Sequence, residues 1–150
     1  MRKLLLIAAG VLILFMCSCK TKEQETMKSS SEKETKTPAE VSITNSVKDA
    51  DVWILPQTEE NLKTTVWGTP TLSKLGGGES CSIGLDDPGD DGQYIFRMID
   101  TDSFYYSANG IVLEAGWSAE IKGDDLKAEL VVSDENGTEQ NTYDVFCARL

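Results

Sequence analysis

The sequence contains no histidine. That removes Ser-His-Asp and Cys-His nucleophilic catalysis, histidine-ligated zinc and any histidine proton shuttle. Basic charge is scarce beyond residue 40: from Val41 onward there are 7 Lys and Arg against 20 Asp and Glu, a net charge of −13. A surface this acidic is repelled by phosphate backbones and anionic headgroups, which argues against nucleic acid as a partner. Solvated surface charge is the plain explanation of the acidity, and cation binding or a basic partner is the functional one. Only Cys81 and Cys147 lie beyond residue 40. They form no C-x-x-C, so a thioredoxin-type redox role has no support. Gly76-Gly77-Gly78 is followed by no Lys-Ser or Lys-Thr and leads into a strand pattern, which excludes a phosphate loop. No sustained 3.6-residue apolar period occurs after residue 41, and no nucleophile-and-base pair can be named. The expectation is a non-catalytic chain without a cofactor, calcium being the one candidate ligand among ions.

What is present begins with a targeting segment. Arg2 and Lys3 are followed by thirteen apolar residues, Leu4 through Met16. That run suits a signal-peptide core of about 7–15 residues and is short for a bilayer span of about 20. It ends in Met16-Cys17-Ser18-Cys19, which resembles the lipobox of bacterial lipoprotein signal peptides, with Met16 where that family usually has leucine. The resemblance implies that a cysteine receives a diacylglycerol thioether and becomes the new N-terminus. Cys19, preceded by the small Ser18, is the expected lipidation site, whereas Cys17 follows bulky Phe15 and Met16. An uncleaved N-terminal anchor is the alternative. Either way the rest of the chain is expected outside the cytoplasm, held to a membrane. Lys20 to Glu40 carries five lysines, five glutamates and little that is apolar. Such composition cannot bury enough surface to offset the entropy of ordering, so residues 20–40 read as a polar stalk.

From Val41 to Leu150 the texture is short alternating segments separated by turn residues. Cys81, Ile83 and Leu85 share one face, Tyr94, Phe96 and Met98 oppose Ile95, Arg97 and Ile99, and Leu126, Ala128, Leu130 and Val132 alternate with Lys127, Glu129 and Val131. Val52–Leu55, Leu62–Trp67, Phe104–Tyr106, Ile111–Leu113 and Trp117–Ile121 also read as strands. Glu135-Asn136-Gly137 contains the strongest short hairpin signal, with the chain returning through Tyr143, Val145 and Cys147. Eight or nine short strands predict an all-β domain, an antiparallel β-sandwich of immunoglobulin-like or similar topology, with a small β-barrel as the alternative. Outside the cytoplasm the Cys81/Cys147 pair invites a disulfide, and two buried free thiols are the alternative.

Two groups of residues are candidate sites. Asp86, Asp87, Asp90 and Asp91 place four carboxylates in six residues of a glycine-containing turn, where calcium could collect oxygen ligands. The order is not that of an EF-hand, and Asp, Pro and Gly are also ordinary turn formers. Asp100, Asp102, Asp124 and Asp125 are further carboxylates that the fold could bring near. The second group is aromatic. Trp53, Tyr105 and Trp117 are candidate ligand-binding residues, because some of the rings must reach the surface and exposed rings serve carbohydrate and peptide recognition. Phe104 and Tyr106 must share a side of their strand and Tyr105 the other.

The spacing from Ile43 to Ile121 resembles a loose group of small β modules in bacterial exported proteins. The matching residues are Asn45, Trp67-Gly68, Leu75 with Gly78-Glu79-Ser80, Tyr94 with Asp100-Thr101-Asp102, and Gly110–Leu113. Ser103 stands where a glycine is more common. The resemblance implies a β-sandwich and no particular activity. Together these readings lead to a lipid-anchored module that binds an unidentified protein or glycan, or plays a structural part, in the cell envelope. A calcium-dependent adhesion module using the acidic turn is the second possibility, and a small wall-glycan enzyme with a carboxylate pair is the third.

Overall fold

A computed structural model of the chain describes residues 39–150. The expected signal peptide, Cys17, Cys19 and nearly all of the stalk lie outside the described residues. The strands are β1 (Ala39–Asn45), β2 (Ala50–Pro56), β3 (Leu72–Leu75), β4 (Glu79–Leu85), β5 (Tyr94–Asp100), β6 (Phe104–Ile111), β7 (Ser118–Gly123), β8 (Ala128–Ser133) and β9 (Glu139–Arg149). One short helix, α1 (Glu59–Lys63), lies between β2 and β3. Alternation drives the strands. In β8, Ala128, Leu130 and Val132 are buried while Glu129 faces solvent.

The strands hydrogen-bond in the order β3-β2-β5-β6-β9-β8-β7-β1-β4. The sheet curls until its two end strands approach each other, giving a nearly closed barrel. The all-β expectation holds, and the barrel alternative describes the closure. Strand β9 makes the curl possible. Its first part pairs with β8 (Ala128 opposite Val145) and its last four residues pair with β6 (Ser107 opposite Phe146), so one eleven-residue strand serves both halves. All pairs are antiparallel except β1 with β7, which run parallel. This departs from a purely antiparallel arrangement. Closing the barrel sets the first strand beside the seventh, and no local turn encodes that contact.

On the opposite flank β1 runs into β2, and β3 into β4, around a shared corner. Asn45, fully buried, holds it: its Nδ2 donates to the carbonyls of Lys48 and Leu75, the latter at 2.9 Å, and its Oδ1 accepts from Val47 N at 3.0 Å. Gly77 packs against this turn, where a Cβ would stand 3.1 Å from Val47 O. Inside, Ile43, Val52, Phe96, Met98, Tyr106, Ile121 and Leu130 belong to one continuous core. Each large apolar side chain buried there contributes roughly 1.5–3 kcal/mol.

Two local expectations are corrected. Leu62–Trp67 is not a strand. Thr58 Oγ1 accepts from Asn61 N at 3.1 Å and Asn61 Nδ2 donates to Pro56 O at 2.9 Å, so a capped helical turn forms and the β-branched residues after it enter a loop. Cys81 and Cys147 are free thiols. Cys81 lies on β4 and Cys147 on β9, with β8, β7 and β1 between them in the sheet order, so they are not on neighbouring strands. Burial pushes the Cys147 thiol pKa up. The Asn-Gly turn forms as expected, with Asp134 Oδ1 accepting from the backbone N of Asn136 and Thr138, both at 2.9 Å.

Candidate aromatic groove

Strand β5 is buried on both faces. Phe96 and Met98 point into the barrel, and Ile95, Arg97 and Ile99 point outward. An outward face is ordinarily solvated, yet Ile95 is 0% and Trp53 8% exposed. The cover is the segment from residue 57 to 71, which lies across the outside of β2, β5 and β6. It is fastened by Trp53 Nε1, which donates to Gly68 O at 3.2 Å, while Trp67 Nε1 donates to Thr64 O at 3.0 Å within the segment itself. Thr71 Oγ1 adds a second tie by accepting from Ile54 N at 3.0 Å.

Strand register arranges the rings. Trp53 stands opposite Arg97, Arg97 opposite Ser107, and Ser107 opposite Phe146; Tyr105 lies in the adjacent row, opposite Ile99 and Ala148. Trp67 descends from the covering segment onto this surface. It meets Trp53 edge-on at 5.5 Å between centroids and stacks on Tyr105 at 5.4 Å with 15° between planes, and Tyr105 meets Phe146 at 6.4 Å. Four rings thus run in contact across the face. Beside them opens a groove of about 440 Å³ floored by Arg97, Ile99 and Tyr105 and walled by Lys63, Thr64 and Trp67. Leu62 and Leu150 also line it, and Phe146, 63% exposed, continues the apolar surface outward.

Arg97 is 5% exposed. One nitrogen, Nη1, donates to Phe96 O at 2.9 Å, Ala108 O at 3.3 Å and Asn109 Oδ1 at 2.8 Å. Among the described residues no carboxylate pairs with it, and Nε and Nη2 have no acceptor. Burial pushes its pKa below the ordinary guanidinium value, although arginine stays charged at any physiological pH.

Of the candidate aromatics, Trp53 and Tyr105 come together here, joined through Trp67. Trp117 does not: it packs half-buried against the core from the start of β7. Asp86, Asp87, Asp90 and Asp91 are all exposed, and their turn is fastened through its backbone, Asp90 N donating to Gln57 O at 2.7 Å. Among the described residues no three acidic or sulfur side chains converge as a metal ligand set. Asp100, Asp102 and Asp125 gather instead around Lys48 and Tyr106. Lys48 Nζ donates to Asp102 Oδ2 at 2.8 Å and Asp125 Oδ2 at 2.8 Å. The buried Tyr106 hydroxyl lies 3.1 Å from Asp100 Oδ2 and 3.2 Å from Asp125 Oδ1. Desolvation, then the Asp100 carboxylate, push the Tyr106 phenol pKa far up, and the Lys48 ammonium holds Asp102 below the usual carboxylate range. Asp100 Oδ1 accepts from the backbone N of Asp102 and Phe104 at 2.9 and 2.8 Å, shaping the turn in which Ser103 takes φ +64°. Its oxygens are thus occupied by protein donors.

Arg97 and Trp67 were not singled out as site residues from the sequence. The signal for Arg97 was its place between Ile95 and Ile99 on the outward face: an arginine flanked by isoleucines implies that something covers that face. Compared with known proteins, the chain matches no family model, no curated protein and no solved structure.

Proposed function

We propose that the chain is a lipid-anchored, extracytoplasmic, non-catalytic binding module whose ligand seat is the aromatic groove outside β5 and β6. The observation that carries the reading is the Trp67–Tyr105 stack beside the groove, with an arginine beneath it that has an unused hydrogen-bonding edge. Ring faces in an open groove suit a flat ligand with an apolar side. The clustered carboxylates of Asp100, Asp102 and Asp125 are engaged by backbone, hydroxyl and ammonium donors. Cys19 and the polar stalk would hold the groove clear of the membrane surface.

The test is a titration of the full chain, in nonionic detergent, with a panel of neutral and acidic oligosaccharides and short peptides, followed by tryptophan emission. Trp67 reports directly from the groove, and Trp53 touches Trp67 edge-on. A saturable change that is lost in Tyr105→Ala supports the reading. A panel that leaves the emission flat, or a change that survives Tyr105→Ala unaltered, overturns it. The anchor is tested separately: Cys19→Ser is expected to move the protein from the membrane fraction to the soluble one.

A further inference from the structure

The groove differs in charge from the rest of the domain. Beyond residue 40 acidic side chains outnumber basic ones 20 to 7, yet no acidic side chain lines the groove, and two basic ones, Arg97 and Lys63, do. Lys63 pairs with Glu59 one helical turn away, both side chains being exposed to solvent. Arg97 is not committed. Its occupied nitrogen is Nη1, so the edge left over is Nε with Nη2, the pair of parallel N–H groups that grips a carboxylate with two hydrogen bonds. Among the described residues no buried side-chain nitrogen lacks a partner, so this unbonded edge is reached from outside the chain. It suits an anion that arrives with its own two oxygens.

The floor of the groove bears on which carboxylate. Strand β5 is paired on both sides, by β2 and β6, and β6 is paired on both sides, by β5 and β9. An extended peptide would find no free main-chain ladder there. Recognition falls to ring faces, the guanidinium and the hydroxyl of Thr65, which match the C–H face, carboxylate and a hydroxyl of a sugar acid. The surrounding acidity limits the ligand to isolated charges. A polyanion is repelled by the whole domain, whereas a single carboxylate in contact with Arg97 lies within a Debye length of about 8 Å at physiological salt.

Resting on the reading of the groove as the ligand seat, we infer that its ligand is a glycan bearing an isolated uronic acid, with the carboxylate on the Nε–Nη2 edge of Arg97 and the sugar ring against the Trp67, Tyr105 and Phe146 surface. The experiment compares cellobiouronic acid, its methyl ester and cellobiose, which share a disaccharide frame and differ in the C6 group. Binding to the full chain is read by tryptophan emission. The acid is expected to bind at least tenfold tighter than either neutral sugar. That preference should collapse in Arg97→Lys, which keeps the charge and loses the planar fork. Equal affinities for the three sugars overturn the inference and leave the groove reading standing. Tighter binding of a short peptide through a free C-terminal carboxylate overturns the glycan assignment. Silence from all three sugars overturns the inference, and the wider panel then decides the groove reading. Thermal melting of Arg97→Lys is recorded alongside. If that variant does not fold, the comparison of acid with ester on the unaltered protein decides alone.

Discussion

Asp100 and Arg97 lie three residues apart on β5, and each is 5% exposed. They occupy opposite situations. Asp100 closes the end of the barrel interior, where two backbone N–H groups and the Tyr106 hydroxyl occupy its oxygens. Arg97 faces outward under the covering segment and lines the groove, with Nη1 the one nitrogen bonded within the chain. A buried charge whose partners are all internal is part of the architecture, because removing it strands those partners. A charge with an edge unbonded by the chain can bond to water or to a group from outside it. The same strand thus carries one ion whose oxygens are all engaged within the chain and one with donors to spare.

The sharpest way to break this contrast is to remove Asp100. Asp100→Ala leaves two backbone donors unpaired and the Tyr106 hydroxyl with Asp125 as its remaining acceptor, and each unpaired group costs about 1–3 kcal/mol. A loss of roughly 3–5 kcal/mol in urea unfolding is expected. The corner should be nearly as sensitive. Asn45→Ala strands Val47 N and two carbonyls, and a loss of about 2–4 kcal/mol is expected by the same measurement. Arg97→Met should be milder than Asp100→Ala, a loss of roughly 1–2 kcal/mol, because it frees the acceptors Phe96 O, Ala108 O and Asn109 Oδ1 but removes an ion that had no countercharge. A loss as large as that of Asp100→Ala would place Arg97 in the architecture and undo the comparison.

The smallest effects belong to the exposed rim. Lys48→Ala should shift the melting midpoint least of the four, since its partners are solvated. It should also change the pH profile. Asp102 is held below its ordinary pKa by Lys48, so its contribution is present above about pH 4 and is lost as pH falls through the depressed folded value. Backbone donors act on Asp124 and Asp134 in the same direction, so acid destabilisation should persist in Lys48→Ala while its Asp102 component disappears. Melting curves from pH 2 to 7 on both proteins decide this.

Much of the fold was readable from alternation. The expectation that Tyr106 and Phe104 share a side opposite Tyr105 is met: Tyr106 is fully buried, Phe104 packs against the core and Tyr105 joins the outer aromatic row. The Leu62–Trp67 segment misled because its β-branched residues suit a strand equally well, and only the Thr58 cap and the docking of Trp67 turned it into a cover. The short β3 escaped notice, since four residues hold too few alternations to read. Asn45 and Trp67-Gly68 were visible as a pattern. Their roles, a corner latch and a fastened lid, came only with their partners.

The sequence by itself determined the all-β class, the face on which each strand residue lies and the Asn-Gly turn, because a period of two and a turn's backbone preference are local properties. Tertiary structure alone decided the parallel pairing of β1 with β7, the separation of Cys81 from Cys147, and the union of Trp53, Trp67 and Tyr105 without Trp117. Local pattern says which way a side chain points. Which strand becomes its neighbour is set by how the sheet closes, and that depends on burying both halves of one core at once.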